Sequence, residues 1–113
     1  MKTESTGLQL CIFVHEGLRH GPQPLYEALV RLARQQGLAG ATVYRGIEGF
    51  GPHRHVHTAR LLDVSDDLPM IVEIVDQAEA VQAFLLLLEG MVPHGATTLE
   101  PVEILKVSSG APR

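Results

Sequence analysis

The chain has 113 residues, enough for one hydrophobic core and too few for two. Apolar residues make up 45% of it while aromatics are only 4% and Trp is absent, so a disordered chain is excluded and aliphatic side chains must fill the core. Nine Lys and Arg against thirteen Asp and Glu give a net charge of −4, without the broad positive field that general nucleic-acid binding needs.

No apolar run approaches the roughly 20 residues of a bilayer-spanning helix. The longest, Ala83 to Leu88, stops at Glu89-Gly90. No membrane insertion and no nucleic-acid partner are expected. The polar start lacks a signal-type apolar segment, and the single Cys11 has no internal disulfide partner. Both features point to the cytoplasm.

Residues 1–7 read as a flexible N-terminus, 8–107 as one domain and 108–113 as a flexible tail. Leu8 to Val14 reads as a strand with Leu8, Leu10, Ile12 and Val14 on one face and Gln9, Cys11 and Phe13 on the other. A two-glycine loop from His15 to Pro22 leads into a helix from about Gln23. Leu25, Leu29 and Leu32 form its core stripe, and Gly37 supplies its stop.

Ala41 to Ile47 reads as the next strand. It runs into the breakers of Glu48-Gly49-Phe50-Gly51-Pro52, which force an excursion. His57 to Ser65 resembles a strand pairing back on it, and Met70 to Val75 a further one. Asp76 with Glu79 forms a variant capping box for a second helix, whose buried stripe is Val81, Phe84, Leu85 and Leu88. Gly90 ends that helix, and Thr98 to Val107 gives a last strand.

This order predicts an α+β fold, a ferredoxin-like βαββαβ sandwich with a four-stranded antiparallel sheet and two helices on one face. Phe13, Cys11, Ile71 and Val75 then lie on the face away from the helices. Each gains about 1.5–3 kcal/mol on full burial, so an oligomer that covers them is expected.

Gly37-Leu38-Ala39-Gly40-Ala41-Thr42-Val43, closed by Gly49-Phe50-Gly51, resembles the PII nitrogen-signalling superfamily, as does Leu68-Pro69 followed by Val72-Glu73-Ile74-Val75. The resemblance is stronger to a PII-like family known as a domain of unknown function. It is carried by His20-Gly21, Pro24-Leu25-Tyr26-Glu27-Ala28, Gly40-Ala41-Thr42-Val43, Arg45-Gly46-Ile47-Glu48-Gly49-Phe50-Gly51, His57-Thr58-Ala59 and Leu68-Pro69. It covers roughly residues 8–107. It implies a ferredoxin-like homotrimer with ligand clefts between neighbours and a mobile loop that reports occupancy to a regulatory target protein. The basic, glycine-rich loop of PII proteins after the second helix is replaced here by Val92-Pro93-His94-Gly95-Ala96-Thr97, without Lys or Arg. A monophosphate, cyclic nucleotide or other small anion suits this chain better than a triphosphate.

Candidate sites follow. Gly46, Gly49 and Gly51 can let backbone N–H groups converge on an anion, or can simply permit a hairpin excursion. Between residues 45 and 60 stand three arginines against one glutamate, which favours the anion. The expected ligand contacts are Arg19, Thr42, Arg45, Gly46, Gly49, Phe50 and Gly51. Thr42 lies near a base, Gly49-Phe50-Gly51 at the phosphate, and the two arginines neutralise charge. The ligand is an adenine nucleotide or similar small anion, no cofactor is required, and the mobile loop spans about 48–57.

His53, His55 and His57 alternate, so in an extended chain they share a face and can present imidazoles to a divalent metal, or they are incidental to a solvated loop. They motivate the alternative, a metal-binding trimer resembling the cation-tolerance proteins. His15, Glu16, Arg19 and His20 offer an acid near histidines but no nucleophile set up with a base and an orienting group. No catalytic residue is assigned, and an enzyme is not expected.

Overall fold

The computed structural model describes residues 2–50, 56–58, 67–92 and 96–107. In chain order the elements are β1 (Lys2–His15), β2 (Arg19–His20), β3 (Gln23–Pro24), α1 (Leu25–Gln35), β4 (Thr42–Arg45), β5 (Glu48–Gly49), β6 (His57–Thr58), β7 (Pro69–Gln77), α2 (Ala78–Leu88) and β8 (Ala96–Val107). Four of the strands form one antiparallel sheet in the order β4-β7-β1-β8, while β2–β3 and β5–β6 are small two-stranded ribbons.

Alternation along β1 and β7 decides which face is buried. Leu10, Ile12 and Val14 pair with Ile74, Val72 and Met70, and all six are buried. They meet Leu25, Leu29 and Ala33 of α1 and Val81, Phe84 and Leu88 of α2 in a single core, so both helices cover the same sheet face. This is the predicted βαββαβ sandwich. Leu32 and Leu85, expected in the helix stripes, pack at the margin of that core, while Leu86 and Leu87 are exposed.

Several boundaries differ from expectation. β1 begins at Lys2 rather than Leu8, because Lys2 to Thr6 pair with Glu103 to Val107 in a ribbon that outruns β7. The strand expected over 57–65 is described only at His57–Thr58. It pairs with Glu48–Gly49 rather than with 41–47 and stays outside the main sheet, where β7 takes the place beside β4. Residues 59–66 lie outside the described residues. The capping box fails as well: Gln77, not Asp76, is the N-cap of α2, and no side chain caps it. Asp76 is still in β7, where its carboxylate accepts the Ala39 N–H at 2.8 Å and the Gln77 N–H at 2.7 Å.

The opposite sheet face carries Cys11, Phe13, Tyr44, Ile71 and Val75, and among the described residues no helix covers it. Phe13 is 39% exposed and Tyr44 49%.

Candidate functional site

β1 and β4 both run antiparallel to β7, so their C-terminal ends lie together at the start of β7: His15 pairs with Pro69 and Arg45 with Met70. The excursion after β4 leaves the sheet at this corner, and the chain returns to it at Asp67. Three consecutive residues at the end of β1, His15, Glu16 and Gly17, hold both feet. The Glu16 N–H donates to Leu68 O at 2.8 Å, the Gly17 N–H donates to Asp67 Oδ1, and His15 Nδ1 faces Asp67 Oδ2. On the other foot, Arg45 Nε and Nη2 each donate to the Glu16 carboxylate at 3.1 Å, and the Gly46 N–H donates to Pro69 O at 2.7 Å.

Among the expected ligand residues, Arg45 sits at this corner with its guanidinium bidentate on Glu16 and more than half exposed. Arg19, in β2, folds its guanidinium back on the Pro22 carbonyl. Gly46 has its N–H committed to Pro69, and a Cβ there would lie 2.6 Å from Pro69 Cγ. Its lack of a side chain answers a close approach of backbone to proline. Gly49 is in β5, again beside Pro69, and pairs with His57. Phe50 follows, 61% exposed, near the similarly exposed Ile47 and Val56 in sequence.

Thr42 stands apart from Arg45. They are three positions apart on one strand, so they lie on opposite faces, about 10 Å apart along it. Thr42 pairs with Glu73 on the uncovered face and lines an open depression of about 330 Å³ with Ala39, Gly40, Ala41, Glu73 and Val75. Among the described residues β4 is an edge strand, so a molecule passing over that edge can meet both faces.

Gly51, His53 and His55 lie outside the described residues, and of His57 only the backbone is described. Among the described residues, no three metal-ligating side chains gather. The acid expected near two histidines instead divides its contacts: Glu16 takes Arg45, and His15 takes Asp67. Glu16 and Asp67 were absent from the expected ligand set, because their partners lie far along the chain. A signal was present all the same. In a βαββαβ order the first two strands run parallel with the third between them and so end at the same side of the sheet, and here those ends carry Glu16 and Arg45, of opposite charge.

Among the described residues, no helix is long and apolar enough to cross a membrane. The fold is shared with solved PII-like proteins. CPII from Thiomonas intermedia K12, solved bound to ADP and bicarbonate, superposes with a TM-score of 0.68 at 17% identity, over 90% of this chain and 91% of that one. A protein from Thermus thermophilus assigned to PII-like signaling gives 0.57 at 21% identity, over 92% of each. At these identities the likeness establishes the fold alone. The DUF190 family model, described as Uncharacterized ACR, matches residues 7–104, and the chain belongs to that family. A UPF0166 protein of Aquifex aeolicus is 36% identical over 96 residues, covering 85% of this chain and 90% of its own length. A UPF0166 protein of Methanocaldococcus jannaschii is 34% identical over 76 residues, covering 67% and 69%.

Proposed function

We propose that this chain is a PII-like regulatory subunit, not an enzyme. It assembles as a homotrimer in the cytoplasm, takes an adenine nucleotide or similar small anion at the free edge of β4, and reports occupancy through the loop at about 48–57 to a target protein. The observation that carries this reading is the placement of Arg45, an exposed bidentate donor, at the foot of the excursion on an edge strand of a PII-like fold. A fork of N–H donors at such a position suits an oxyanion.

Thr42 and Glu73 support the other end of the ligand. A carboxylate repels phosphate but accepts hydrogen bonds from the exocyclic amino group of a base, so the base belongs in the depression on the uncovered face and the phosphate toward Arg45. The roughly 10 Å between them matches a nucleotide better than a bare anion. CPII, solved with ADP and bicarbonate, supplies a precedent in the same fold. The apolar uncovered face supports assembly, and the exposed Phe50 and Val56 within the loop, with Ile47 just before it, support a protein target.

Calorimetric titration with ADP, AMP and bicarbonate tests the reading. ADP is expected to bind, and Arg45→Ala to weaken it about 10- to 100-fold, the range for losing charge-assisted hydrogen bonds of roughly 1.5–3 kcal/mol. Absence of heat from every ligand, with the assembled native protein, would overturn it.

A further inference from the structure

We infer that Glu16 is a built-in occupant of the Nε/Nη2 edge of Arg45, that an incoming anion binds this same edge and displaces it, and that this exchange unclips the outgoing foot of the excursion from the turn after β1. The inference rests on Arg45 being the anion contact proposed above.

The two carboxylate oxygens of Glu16 each accept from Arg45, at 3.1 Å from Nε and 3.1 Å from Nη2. That is the arrangement a free oxyanion would adopt on the same fork. A ligand cannot share that edge of the guanidinium, because Glu16 takes the Nε N–H and an Nη2 N–H; the edge formed by Nη1 and Nη2 is not used by Glu16. The pair is also exchangeable: the Arg45 side chain is 57% exposed and that of Glu16 30%. Ion pairs open to water hold weakly, so an anion with additional contacts along β4 can win the competition.

The geometry separates what would be released from what would stay. The backbone bonds from Glu16 N–H to Leu68 O and from Gly46 N–H to Pro69 O do not involve either side chain. Asp67, at the returning foot, remains bound by the Gly17 N–H and His15. Displacing Glu16 therefore frees one foot at the level of a side chain and leaves the sheet intact. A ligand would thereby change how the excursion is held without unfolding the corner.

Glu16→Gln tests this in the full-length protein. It keeps the size of the side chain and removes its charge, so the competitor is weakened while the fold is retained. ADP is expected to bind the variant about two- to fivefold more tightly, the range set by an exposed ion pair. In the absence of ADP, amide hydrogen exchange of a peptide spanning residues 45–50 is expected to quicken. Glu48→Gln removes a carboxylate from the same segment without touching the Glu16–Arg45 pair, and should tighten ADP binding less. Unchanged or weaker ADP binding by Glu16→Gln, or an equal gain in Glu48→Gln, would overturn the inference while the functional reading stands. If the native protein binds no ADP, the functional reading falls by itself. The exchange measurement then decides the clip alone, and an unaltered rate at residues 45–50 sinks it.

Discussion

Gly46 turns the chain out of β4 so close to Pro69 that a methyl group has no place: its Cβ would stand 2.6 Å from Pro69 Cγ and 3.2 Å from Pro69 O. The carbonyl is backbone and cannot swing aside. Gly46→Ala should therefore destabilise the protein by about 1–3 kcal/mol, the range for overpacking, read as a lowered denaturant midpoint with an unchanged slope. The same proximity changes how the glycine cluster is understood. From sequence, Gly46, Gly49 and Gly51 share one explanation, donors to an anion. In the fold, Gly46 and Gly49 both lie against Pro69, and the Gly46 N–H is already spent on the proline carbonyl. Glycines that leave room for a neighbour and glycines that present N–H groups look alike in a sequence, because the neighbour is some twenty residues away. Arg45 differs, since its charge alone marks it as an anion contact, although nothing local announces Glu16 as its partner.

At the scale of elements, α1 ends as its glycine predicts. Gly37 has φ +75°, its N–H donates to Arg34 O at 3.1 Å, and the Leu38 N–H reaches Ala33 O at 3.1 Å, which closes a Schellman turn. Leu38 then packs on the core margin. No atom crowds a Cβ at Gly37, so Gly37→Ala tests the left-handed backbone alone and should cost about 1 kcal/mol in equilibrium unfolding. The alternation of Leu10, Ile12 and Val14 and the spacing of Val81, Phe84 and Leu88 made the sheet and helices legible, since each element advertises the face it buries. The start of α2 was not legible. Asp76 and Glu79 have the residue types of a capping box, but Asp76 remains in the strand with its carboxylate drawn to the Ala39 N–H, and that tertiary bond outcompetes the local one. The extension of β1 back to Lys2 was hidden for a related reason: the polar residues of this stretch acquire strand structure only by pairing with β8.

For the whole molecule, the question is what covers the second face of the sheet. Phe13, Tyr44, Ile71 and Val75 lie there beside Cys11, while the two helices of the described residues are both engaged on the other side. A single Phe gains about 1.5–3 kcal/mol on full burial, and several such side chains favour association strongly. Phe13→Asp places a charge at the centre of that face without entering the helix-side core, so it should dissociate the assembly while leaving the protomer folded by circular dichroism. Native mass spectrometry of the full-length protein, sprayed with and without ADP, tests the central claim most directly. The expected result is a trimer that retains the nucleotide. A folded protein that stays monomeric at micromolar concentration and carries no ADP would contradict both the assembly and the cleft it is proposed to create.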